Sequence, residues 1–151
     1  MESVKNNYND KEKLIAILPK ELKNEILNTP LELAFDKSVD LNTRIEFLLP
    51  FLGFPTSLNG YNYAKEAILM VCEDEKKLKK MTSILYKEIA EKYDSSATRV
   101  ERSIRNATEI CFSRMDPILK KWLFGSTVGY QNGKCSNSEF IARISRLLTK
   151  I

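Results

Sequence analysis

Between Glu88 and Ile104 the chain reads EIAEKYDSSATRVERSI, and this stretch constrains the fold more than any other. A small residue, Ala90, follows Ile89, Tyr93 closes the first segment, and after the polar turn YDSS a second apolar run opens at Val100. This is the spacing of a helix-turn-helix. Its first helix needs a small side chain at the crossing, and its second is buried through a β-branched residue. Asp94 stands in the turn where Gly is often found, and Asp tolerates the left-handed backbone. With successive residues about 100° apart, Val100, Ile104, Ala107 and Cys111 form one narrow stripe. Thr98, Arg102, Arg105 and Glu109 project from the opposite side, with Arg99 and Asn106 along one edge of that outer face and Glu101 along the other.

Two readings of that outer face are open. A charged helical face taken alone is usually solvated and laced with ion pairs such as Glu101 to Arg105. The turn before it favours a different use, because the N-terminal turns of a recognition helix are what reach base edges in the major groove. The formal net charge of +4 permits a nucleic-acid partner without demanding one. The chain has no histidine, and its three cysteines, Cys72, Cys111 and Cys135, are widely spaced, which argues against a zinc site or a disulfide framework. No spacing resembles a nucleophile motif, a phosphate-cradling Gly loop or a metal box. The densest acidic cluster, CEDEKK at 72–77, reads as one helix ending and the next starting with acids in its first turn. The expectation is a protein without catalytic residues, cofactor or metal.

A chain of 151 residues with 43% hydrophobic content is long enough for one domain with a real core. Sustained strand alternation is absent and helical spacing recurs, so the fold class is all-α: a compact domain of about six helices with a short helical N-terminal arm. Helices are predicted over 41–52, 61–72, 75–92, 117–124 and 138–150, besides the one opening at the YDSS turn, with a loop GSTVGYQNGKCSN before the last. Ser136 and Glu139 have capping-box spacing at the start of that last helix. Residues 41–151 form the predicted DNA-binding domain and 1–40 the arm. Within the arm Leu14, Ile17 and Leu18 precede Pro19, and Leu22, Ile26 and Leu27 follow it, a pattern of two short amphipathic helices. No apolar run approaches the ~20 residues of a membrane span, and the first residues lack the apolar stretch of a signal peptide. A cytoplasmic chain acting at the nucleoid, with no membrane partner, is expected.

From about Thr43 to Leu148 the sequence resembles the C-terminal effector domains of the stage zero sporulation protein A family, response regulators of endospore-forming bacteria. GYNYAKEAI, LYKEIAEKYDSSATRVERSIRNA, LFGSTV and NSEFIARI carry the resemblance, and RVERSIR and NSEFIA are the most specific. It implies a DNA-binding domain whose recognition helix reads a short TGTCGAA-type box in double-stranded DNA. Arg99, Glu101 and Arg102 stand where the family reads bases, and their chemistry agrees: Arg grips the paired acceptors of guanine and Glu accepts from the cytosine amino group. Ser95, Ser96, Thr98, Arg105 and Asn106 are the implied backbone or flanking contacts. The resemblance also implies an RNA polymerase contact, through the sigma subunit, around Leu123 to Val128. It implies tandem binding on adjacent boxes as well, for which the last helix offers Arg143, Arg146 and Lys150, while the N-terminal arm is open to two readings, packing on its own domain or forming a homodimer or partner contact.

The sequence departs from the family at several points. Asn59 stands where Lys is usual, Asn106 replaces a usual His, and MDPILKKW differs. The length leaves no room for the family's receiver domain of roughly a hundred or more residues, so direct control by receiver phosphorylation is not expected. A rival reading is a protein-interaction module, or antagonist, that pairs with a full-length regulator or with polymerase. Glu101 opposes a merely basic, sequence-independent surface, since a carboxylate near phosphates weakens binding unless a base amino group rewards it.

Overall fold

The computed structural model describes residues 30–149, and every regular element among them is helical. A 3-10 turn at Pro30–Phe35 leads into α1 (Leu41–Leu52) and α2 (Asn59–Glu73). After an irregular segment come α3 (Tyr86–Lys92), α4 (Ala97–Arg114), α5 (Pro117–Phe124), α6 (Val128–Gln131) and α7 (Asn137–Thr149). The all-α expectation holds. The arm's apolar clusters at Leu14 to Leu18 and Leu22 to Leu27, and Lys150, lie outside the described residues.

Each helix begins and ends where its local chemistry allows. Asp40 caps α1, its carboxylate accepting from the Thr43 backbone N–H and hydroxyl at 3.3 and 3.0 Å. Gly53 closes α1 with φ 94°, a left-handed stop. Asp116 caps α5 ahead of Pro117, whose fixed φ suits the first helical turn. At α7 the capping box forms as its spacing predicts: Ser136 Oγ accepts from the Glu139 N–H at 3.2 Å, and Glu139 Oε1 accepts from the Ser136 N–H at 3.3 Å.

Packing organises the helices around α4 and α7. Val100, Ile104, Ala107 and Cys111 of α4 are wholly buried, as are Phe140, Ile141 and Ile144 of α7. Between them Phe140 stacks on Phe124 at 5.9 Å and leans on Phe54 at 5.5 Å. Burying each such side chain stabilises the fold by roughly 1.5 to 3 kcal/mol. Buried Arg44 ties the two ends of the described chain together: its Nε donates to the Ala34 carbonyl at 3.0 Å and its Nη2 to the Leu148 carbonyl at 2.9 Å. Ala34 and Phe35, at the end of the segment expected as an arm, are buried in this same core.

Two expectations need correction. The single helix expected over 75–92 is three pieces: a 3-10 helix at Glu75–Lys80, a π-helical turn at Met81–Leu85, and α3. Asp74 accepts from the Lys76 N–H at 3.1 Å, which tightens the first turn. The change of winding ends where the Tyr86 N–H reaches back five residues to the Met81 carbonyl. The second correction lies in the expected loop GSTVGYQNGKCSN, which contains α6. Thr127 caps that helix, its hydroxyl accepting from the Tyr130 N–H at 3.2 Å.

Candidate nucleic-acid interface

The turn between α3 and α4 has the geometry its sequence demands. Asp94 takes the left-handed conformation with φ 50°, and the Ser95 N–H closes the turn on the Ala90 carbonyl at 2.8 Å. Ala90 sits at the crossing only 6% exposed. Ser96 is the N-cap of α4, its hydroxyl accepting from the Arg99 N–H at 3.2 Å. Of the flanking residues expected at the phosphates, Ser96 is therefore already employed within the fold, and Ser95 is half-buried with its N–H used by the turn.

From this anchored start the polar side chains leave α4 on its outer side. Thr98, Arg99, Arg102, Arg105, Asn106 and Glu109 are all exposed. Arg99 and Arg102, one turn apart, have no ion-pair partner among the described residues. Glu101 differs from them: half-buried, it forms an ion pair with Arg105 Nη1 at 3.2 Å, the i,i+4 pair that the solvated-face reading predicts. Arg99 and Arg102 thus present free guanidinium forks, while Glu101 and Arg105 are engaged with each other.

The backbone beneath these residues is held from two sides by contacts that sequence reasoning missed. Gly60, near the start of α2, lies so close to α4 that a Cβ there would meet the Ser103 carbonyl oxygen at 2.3 Å and the Ala107 Cβ at 2.9 Å. From the other side Asn137, at the start of α7 and 7% exposed, donates through Nδ2 to the Glu101 carbonyl at 3.2 Å and to the Tyr86 hydroxyl at 3.0 Å. One amide thus joins α7 to both helices of the helix-turn-helix. Burial pushes the Tyr86 hydroxyl's pKa up, against the opposing pull of the Asn137 hydrogen bond, and keeps it in the neutral form this contact uses. Gly60 and Asn137 fall inside the stretches that carry the family resemblance, GYNYAKEAI and NSEFIARI, which was the one signal pointing to them.

Beside the outer face a groove of about 650 Å³ runs between Glu101, Arg105 and Glu109 of α4, Met81 and Thr82 of the π-helical turn, and the segment from Val128 to Glu139. Among the described residues no His, Cys, Asp or Glu cluster could hold a metal ion. Burial pushes the Cys111 and Cys135 thiols up to about 12, so they stay protonated near neutral pH and make poor nucleophiles or ligands. No described helix is long and apolar enough to cross a membrane.

The polymerase and tandem-contact expectations meet a mixed surface. Within Leu123 to Val128 the Leu123, Phe124 and Thr127 side chains are buried, whereas Val128 is 72% exposed. On α7 Arg143 donates to the Ser126 hydroxyl at 2.6 Å, and Arg146 is exposed.

A helix-turn-helix with an exposed, arginine-bearing second helix held on an all-helical core is the architecture the sequence resemblance implies. Comparison with family models agrees: residues 45–148 match the model described as Sporulation initiation factor Spo0A C terminal. The chain belongs to the Spo0A C-terminal family, a family of DNA-binding, non-catalytic regulators of sporulation.

Proposed function

We propose that this chain is a sequence-specific transcriptional regulator that reads a TGTCGAA-type box by laying α4 in the major groove. Arg99 and Arg102 take guanine acceptors, Glu101 takes a cytosine amino group, and Thr98, Arg105 and Asn106 lie toward the phosphates. The observation that carries the reading is the pair of free guanidinium forks on the first two turns of α4, above a backbone held by Gly60 and Asn137. No described residue covers this face, so we expect the chain to bind without a phosphoryl signal. Selection of bound sites from random DNA tests the proposal. Enrichment of a TGTCGAA-like box supports it, and recovery of unenriched sequence overturns it.

One observation favours an additional protein contact. Val128, in the LFGSTV stretch, is the most exposed large hydrophobic residue described, and an isolated apolar side chain on a rim suits a partner such as the polymerase sigma subunit. Val128→Asp should leave box binding unchanged and abolish box-dependent transcription in a reconstituted assay. Equal transcription by both proteins would remove this reading.

A further inference from the structure

We propose that the 3-10 helix before the helix-turn-helix is a phosphate rail: Lys76, Lys79 and Lys80 contact the DNA backbone flanking the box and add affinity without reading sequence. In a 3-10 helix residues three apart eclipse one another. Glu75 and Leu78 accordingly share the inward side, where they border Ser145 and Arg146 of α7, and Leu78 packs on the core. Lys76 and Lys79 then form one outward row, and Lys77 and Lys80 a second. Lys77 is held by Glu88 at 3.0 Å. Lys76, Lys79 and Lys80 are exposed and without an ion-pair partner among the described residues. Neither outward row is the one that faces α7, so the three exposed ammonium groups lie on the sides of the 3-10 helix away from it.

The occupant follows from position. The rail ends at Lys80, and the next two residues, Met81 and Thr82, border the same groove as Glu101 and Arg105 of α4. The first helix of a helix-turn-helix crosses the DNA backbone while the second enters the groove. The segment leading into that first helix therefore meets phosphates beside the box. Three free ammonium groups suit phosphates better than base edges, since Lys acts as a compact point charge without Arg's bidentate fork.

This inference rests on the DNA-binding reading above, and one experiment separates the two. Box and scrambled duplexes, each with flanking base pairs, are titrated with the full chain and with a Lys76→Ala/Lys79→Ala/Lys80→Ala variant across a range of salt concentrations. The slope of log K against log salt should fall by roughly 2 to 3 in the variant, about 0.9 for each phosphate no longer neutralised. The preference for box over scrambled DNA should stay unchanged, and the corresponding Lys→Arg variant should restore the slope. An unchanged slope with intact box preference overturns the rail and leaves the box reading standing. A reduced slope in a protein with no box preference does the reverse. A variant whose box preference falls as well would make these lysines part of sequence reading and would also overturn the rail.

Discussion

Helices α4 and α7 begin alike and end up doing different work. Each has a serine N-cap, Ser96 and Ser136, and each buries a continuous apolar stripe. The difference is where the polar side chains of the first two turns go. At α7 they turn inward: Asn137 is bonded to Tyr86 and the Glu101 carbonyl, Glu139 to Gly129 and Ser136, and Arg143 to Ser126. At α4 Arg99 and Arg102 find no charged partner among the described residues. Amphipathic patterning is the same in both, so what sets α4 apart is polar capacity that the described residues leave unspent. The packed helix also supports the exposed one, since Asn137 holds the backbone that carries Glu101.

The largest expected effect breaks the comparison at its foundation. Gly60→Ala places a methyl group against the Ser103 carbonyl and the Ala107 side chain, both on α4. Backbone cannot rotate away, so α2 and α4 must part, at about 3 kcal/mol or more of stability. Denaturant unfolding measures this, and a loss below ~1 kcal/mol would show that α4 is not seated as described. Arg102→Ala sharpens the contrast from the other side. It should leave stability within ~0.5 kcal/mol, because the side chain is exposed, while weakening box binding by ~1 to 3 kcal/mol and relaxing preference at one G·C pair. Equal weakening on scrambled DNA would make Arg102 a phosphate contact.

Next in size comes Glu139, the inward counterpart of those arginines. Burial opposes ionisation of its carboxyl, but hydrogen bonds from Gly129, Ser136 and Thr127 outweigh it, and the net shift is downward from the ordinary 4.5. Glu139→Gln retains one acceptor where the carboxylate has two, and should lose ~0.5 to 2 kcal/mol at neutral pH, as for a broken cap. A lowered folded pKa gives stability that is present above the unfolded value and is lost as pH falls through the folded one. The melting temperatures of the two proteins should therefore converge on acidification below about pH 4. A gap unchanged down to pH 3 would mean that charge plays no part in the cap.

How legible the molecule was depended on whether a feature repeats. The stripe Val100, Ile104, Ala107, Cys111 and the capping-box pair each declare themselves by spacing, and Asp94 by its tolerance of positive φ; all three lie where the sequence puts them. Segment 75–85 misled because Leu78, Met81 and Leu85 follow one another at three and then four residues, which fits an α-helix. The actual winding is 3-10 and then π, and it starts at the Asp74 cap, which leaves no mark in the apolar spacing. Gly60 and Asn137 left no periodic trace. The first acts through a missing side chain, and the second through a single amide whose partners are 51 and 36 residues away in the chain. Of the candidate site, the exposed face of α4 was readable; which of its members were already spoken for was not, because that depends on neighbours from other helices.

Glu101 is the residue on which the comparison turns, since it belongs to the helix proposed to read bases yet is already paired. Its ion pair with Arg105 is a partly exposed i,i+4 contact, with side chains 32% and 54% accessible, and such pairs contribute about 0.3 to 0.5 kcal/mol. Glu101→Gln should therefore change stability by no more than ~0.5 kcal/mol, the smallest effect considered, and the interest lies in DNA binding. Removing a negative charge near phosphates strengthens binding to any duplex, which predicts equal or tighter affinity for scrambled DNA. If the carboxylate also accepts from a cytosine amino group, the same change weakens the box complex, so the ratio of box to scrambled affinity falls. Breaking the pair from its other end gives the control: Arg105→Gln frees Glu101 without altering its charge, and should preserve the ratio while lowering affinity on both duplexes. Should Glu101→Gln tighten both equally, Glu101 belongs with the inward residues of α7 as a structural partner, and base reading rests on Arg99 and Arg102 alone.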